Sequence, residues 1–178
     1  TAGALLPLLQ FVCVAKPTIG FASWLYRPSW KGVVGGVALC VIALFFQPDW
    51  PFRWLESVKH AVSYRAPALT LMVCFTLLGL LRWRRKEGRV FVGMAIVPQL
   101  PVFYDQLSLW LVPSTVWRSL VLSATSWIGW FIWYPSSALK TQFIVARPLV
   151  LAFVYFPALV MLLLLPNREE EPLPVAKA

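Results

Sequence analysis

The chain has little charge and almost no histidine. Only 13% of its 178 residues are Asp, Glu, Lys or Arg, and His60 is the single histidine. That histidine falls on the polar face of a predicted surface helix, so no nucleophilic triad is expected. A phosphate-cradling loop of the G-x-x-x-x-G-K type is missing, and no cluster has metal-ligand spacing. No metal or cofactor is therefore expected, and with one histidine outside the apolar runs, no haem ligation either. Cysteine is scarce too. Cys13, Cys40 and Cys74 are odd in number and far apart, each inside an apolar run. This excludes a disulfide framework and makes them small buried hydrophobes.

What the chain has instead is apolar length. Sixty percent of it is hydrophobic, with a mean hydropathy of +0.72. Its apolar runs of about twenty residues match the thickness of a bilayer. A membrane β-barrel needs alternating segments of about ten residues. ALTLMVCFTLLGLL and PALVMLLLLP are continuous. The expected fold is all-α: a polytopic transmembrane helical bundle with about five to seven membrane segments and one interfacial amphipathic helix. Residues 1–166 form one helical domain, followed by a polar tail, 167–178. The chain opens at Thr1 directly on a span, which reads as a cut N-terminus.

The first span is predicted over 4–26. The second runs from Gly32 to Phe46 with Trp30 and Trp50 as interface anchors. Gly32, Gly35 and Gly36 give it a small face for close helix packing. Asp49 is placed to cap the next helix, and Pro51 suits its first turn. That helix, about 50–63, carries Trp54, Leu55, Val58, Ala61 and Val62 on one face. Arg53, Glu56, Ser57, Lys59 and His60 occupy the other, as in a helix lying on the membrane. A third span, about 66–83, ends in Arg82, Arg84, Arg85, Lys86 and Arg89. By the positive-inside rule this cluster is cytoplasmic, and loop 27–31, two spans earlier, is on the same side. Beside a span it also suits anionic lipid headgroups. Nucleic acid is not an expected partner, because no groove-reading element is present. Beyond Arg89 the run 90–112 is interrupted by Pro98, Gln99, Pro101 and Asp105. Either one broken span or a short segment with a return helix fits it. Two further spans follow, about 119–134 and 143–165.

Charges within apolar runs cost roughly 2.5–3.5 kcal/mol each at a helix centre, which makes them functional candidates. Lys16 lies about 15 Å from either end of its run, beyond easy snorkelling, and Pro17 opens the helix beside it. Asp105, next to Tyr104, is either a general base or a helix cap at the outer surface. Arg147-Pro148 repeats the Lys16-Pro17 pairing near the start of its span. Lys16 and Arg147 are the candidate ligands for a lipid phosphate.

Ala15-Lys16-Pro17-Thr18, the 27–32 loop, Pro48-Asp49-Trp50 and the Pro98 to Asp105 break together carry a resemblance. This pattern resembles the later half of GT-C-type glycosyltransferases, and more closely the polyprenol-phosphate-mannose-dependent mannosyltransferase-like family of bacterial membrane proteins. The resemblance covers about residues 5–112. It implies a bacterial inner-membrane location, with Lys16 facing the phosphate of a lipid-linked sugar donor. Such enzymes carry their catalytic acid in a first outer loop that would precede Thr1. Two functions are therefore expected. One is a non-catalytic membrane subunit, built on a glycosyltransferase-like scaffold, that packs among other subunits and anionic lipids. The other is a fragment of the transferase itself, with Asp105 near the acceptor.

Overall fold

The computed structural model describes residues 10, 16–60, 74–97, 103–136 and 142–166. All regular structure among them is helical. Most of the predicted first span, the start of the third, the Pro98–Pro101 break, Cys13 and the tail 167–178 lie outside the described residues.

Helix α1 is Pro17–Tyr26. Proline fits a first helical turn because its missing N–H would have no partner there. Lys16 precedes it in a non-helical conformation, so the Lys-Pro step starts a helix in place of kinking one. Helix α2 is Trp30–Phe46. Its 17 residues span about 25 Å, a little less than a bilayer core. Helix α3, Trp50–His60, follows after a three-residue turn. The two axes meet at 100°. Asp49 precedes α3 as expected, and its carboxylate reaches Arg53 Nη2 at 3.8 Å, one turn on.

The remaining helices form a packed body with α1. Helix α4, Cys74–Leu77, tightens into a 3-10 turn, Leu78–Arg82. Helix α5 is Lys86–Ile96. A 3-10 helix follows at Phe103–Leu111, then α6 at Val116–Trp133, whose first turn is capped by Thr115 Oγ1. Helix α7, Gln142–Val150, runs through a π turn, Leu151–Tyr155, into α8, Phe156–Leu163. The π turn has a local cause. Pro157 has no N–H to donate, and its ring crowds the carbonyl of residue 153. The ladder widens there, and Phe156 N–H bonds Leu151 O.

Phe91 and Met94 of α5, Leu122 of α6, and Val154, Tyr155, Ala158 and Leu162 form the centre of the core, all fully buried. Tyr155 crosses edge-on to Phe91, with centroids 5.8 Å apart, and donates its hydroxyl proton to Met94 O at 3.0 Å. Gly93 lets α5 lie against α1. A Cβ there would sit 2.6 Å from Leu25 Cδ1.

On α2, Gly32 and Gly36 are buried and Gly35 is half-buried. Gly32 and Gly36 line an open cleft of about 440 Å³ between α1 and α2. Gly32 accommodates the Gln10 side chain. The close approach of α5 to α1 is made at Gly93, which lies in a segment that reads as part of an apolar run.

Among the described residues, one helix is long and apolar enough to cross a membrane: Val145–Leu163, 19 residues. A second joins it if the bent pair α2–α3 is taken as one span. Helix α6 has the length, but Arg118 and a series of hydroxyl side chains lower its hydropathy. Helices α1 and α5, at 10 and 11 residues, are too short.

Candidate functional site

The two charges that stand out within apolar sequence meet in space. Lys16 Nζ donates to Asp105 Oδ1 across 89 residues of chain. Asp105 lies in the first turn of the 103–111 helix with its side chain 4% exposed, whereas the Lys16 side chain keeps 48%. The carboxylate is thus turned into the body and paired, instead of capping a helix at an outer surface.

Local geometry explains the pairing. A 3-10 helix repeats every three residues, so Asp105 and Ser108 share one face of the 103–111 helix. Lys16, Ile19 and Ser23 lie on one face of α1 at spacings of three and four. The two faces meet as a polar seam. Ser23 Oγ and Ser108 Oγ are hydrogen-bonded at 3.1 Å, and Ser108 Oγ lies 3.4 Å from Ile19 O, to which it donates. Ser23, Asp105, Gln106 and Ser108 are all at least 97% buried. Asp105 is legible from sequence as a charge in an apolar run. The serines are not, because a hydroxyl in an apolar helix has no distinctive spacing.

Chemically, the seam holds a buried carboxylate neutralised by an ammonium that still meets the surroundings. Removing one partner would strand a buried charge. Among the described residues no cluster of His, Cys, Asp and Glu could hold a metal ion. Arg147 belongs to another part of the body. It is half-buried on α7, which packs on α6 and the π turn, while α1 packs on α5 and the 103–111 helix.

The basic cluster gathers two helix ends. Arg82 Nη2 donates to Leu163 O at 2.9 Å and Arg85 Nη1 to Pro166 O, both at the C-terminal end of α8. Arg89 Nε donates to Leu25 O at the end of α1, at 3.2 Å. Helix C-termini carry unsatisfied carbonyls and partial negative charge, so each guanidinium sits where a cation is favoured. Lys86 Nζ lies 4.9 Å over the Tyr26 ring. Loop 27–31 and segment 82–89 therefore occupy the same end of the molecule.

A second cleft, of about 460 Å³, is lined by Phe103, Leu107, Trp110, Trp127, Trp130 and Trp133. Trp110 is fixed there by its Nε1 proton, donated to Ser123 Oγ at 3.0 Å. The tryptophans are visible in the sequence, but their convergence from two successive helices is not.

No family model matches the chain, and no curated protein or solved structure matches it either.

Proposed function

We propose that the chain is a non-catalytic integral membrane subunit, polytopic, that packs within and stabilises a larger membrane protein assembly. On this reading it lies in a bacterial inner membrane with loops 27–31 and 82–89 cytoplasmic. The observation that carries it is the α2–α3 arm. Val34, Val37, Val41, Ile42, Leu44 and Phe45 form a broad outward face on α2, each 41–84% exposed. Phe52, Trp54 and Leu55 of α3 are also exposed. A contiguous apolar surface of this extent marks contact with lipid or with a partner. Helix α6 adds a second such face through Trp117, Leu120, Trp127, Ile128 and Phe131. The Lys16–Asp105 pair supports a structural role as well. It engages the candidate general base, Asp105, in holding α1 to the 103–111 helix.

A transferase reading keeps one observation in its favour: Lys16 stays half-exposed, so a lipid phosphate could approach it. Gentle detergent extraction from the native membrane, followed by identification of co-migrating proteins, separates the two. A stoichiometric set of other membrane proteins is expected. Migration as a lone monomer with sugar-transfer activity would reverse the assignment.

A further inference from the structure

The basic turn divides its residues into two sets. Arg82, Arg85 and Arg89 point inward to helix-end carbonyls. Arg84 points outward. It is exposed and has no hydrogen bond or ion pair among the described residues. Arg27 and Lys31 are likewise exposed. Their loop is held against the same turn by the Arg89–Leu25 hydrogen bond and by Lys86 over Tyr26. Nothing acidic that is described at this end offsets them, since Glu87 is buried and bonded to Arg85 at 3.3 Å.

Directly beside these cations the chain exposes Leu80 (50%), Leu81 (69%) and Trp83 (43%). Cations alone would suit any polyanion. Cations next to exposed leucines and an indole suit a surface that is charged outside and oily just beneath. We propose that this end of the molecule is a seat for anionic phospholipid, with Arg84, Arg27 and Lys31 on the headgroup phosphates and Leu80, Leu81 and Trp83 against the upper acyl chains. Arg82, Arg85 and Arg89 hold the seat in shape and do not bind lipid. The inference rests on the membrane residence proposed above, and not on the assembly.

The test uses the full chain in mild detergent, with phosphatidylglycerol or phosphatidylcholine of identical acyl chains added back and bound lipid counted by native mass spectrometry. Wild type is expected to retain phosphatidylglycerol in preference. The triple variant Arg27→Gln, Lys31→Gln, Arg84→Gln should weaken that retention about tenfold or more, given several-fold per cation near an anionic surface. Arg85→Gln should melt at a lower temperature yet keep the preference. Equal retention of the two lipids by wild type, or full retention by the triple variant, overturns the proposal. So does displacement of the lipid by millimolar inorganic phosphate, which would reassign the cations to a soluble anion. A variant ending at Pro166, which removes Glu169, Glu170 and Glu171, should retain at least as much; a loss would place the lipid on the tail. Carbonate extraction of the membranes distinguishes the underlying reading. A chain released by carbonate contradicts membrane residence, whereas a carbonate-resistant chain without lipid preference contradicts only the seat.

Discussion

The body and the α2–α3 arm are built from similar amino acids and behave as opposites. In the body, apolar side chains meet each other: Phe91, Met94, Leu122, Tyr155 and Leu162 are fully buried. In the arm many of them face outward. Val37, Val41, Phe45 and Phe52 are between 57% and 84% exposed. Hydrophobicity therefore has two meanings in one chain. In the body it is a driving force for internal packing. In the arm, on the proposed membrane reading, it is a match to lipid or to a partner, because lipid tails offer leucine and valine no penalty. The polar groups divide the same way. In the body, polar side chains pair within the fold at Lys16–Asp105 and Ser23–Ser108. Those of α3 face outward: Arg53, Glu56 and Ser57 are all exposed.

The largest expected effect breaks the body and spares the arm. Phe91→Ala removes a fully buried ring packed on Tyr155. It should cost about 3–5 kcal/mol of unfolding free energy. Val37→Ala on the outward face of α2 should cost less than about 0.5 kcal/mol. Thermal or denaturant unfolding in one detergent measures both. Similar costs at the two positions would erase the distinction between body and arm.

Much of this division is legible in the sequence. A predicted span bounded by Trp30 and Trp50, followed by an amphipathic helix, agrees with α2, the sharp bend and α3. The 27–31 loop and the basic cluster, which the sequence reading placed on one side, also lie together. What escaped is long-range or geometric. Hydropathy identifies Lys16 and Asp105 as unusual one at a time, but it cannot show that they neutralise each other. Their union depends on the packing of α1 against the 103–111 helix, a contact across 89 residues of chain that no local spacing announces. The helix-contact glycine was missed because Gly93 has no second small residue at helical spacing to announce it. Gly32 and Gly36 have that spacing, but they face a cleft.

The second prediction tests the seam. Lys16→Met leaves the Asp105 carboxylate buried without its ammonium, and should cost about 3 kcal/mol, the lower end for a buried pair because Lys16 is half-exposed. Asp105→Asn leaves an amide in its place and should cost less. The double variant Lys16→Met, Asp105→Leu removes both charges and should recover at least half of the Lys16→Met loss, since a buried ion pair replaced by apolar groups is often neutral. With Asp105→Leu also measured alone, a double-mutant cycle on unfolding free energies gives the coupling. Additive losses would mean that the two residues act separately, and would free Asp105 for another role.

The smallest effect is also the one whose sign differs between the two regions. Gly88, at the start of α5, packs against the Arg82 backbone, and a Cβ there would run into the Arg82 carbonyl oxygen. Backbone cannot swing aside as a side chain can, so Gly88→Ala should destabilise by about 1–3 kcal/mol. It should also loosen the turn that carries Arg82 and Arg85. Gly35 is half-buried in α2, with the open cleft on the neighbouring face. There an alanine gains helix propensity, worth up to about 1 kcal/mol over glycine in a helix interior. Gly35→Ala should therefore be neutral or slightly stabilising in detergent. Measured on the isolated chain and again on the extracted assembly, the same substitution sharpens the meaning of the arm. If the assembly melts lower while the chain does not, a partner helix packs on Gly35. If neither changes, the small residues of α2 face lipid, and the arm's partners bind through its outer valines and phenylalanines.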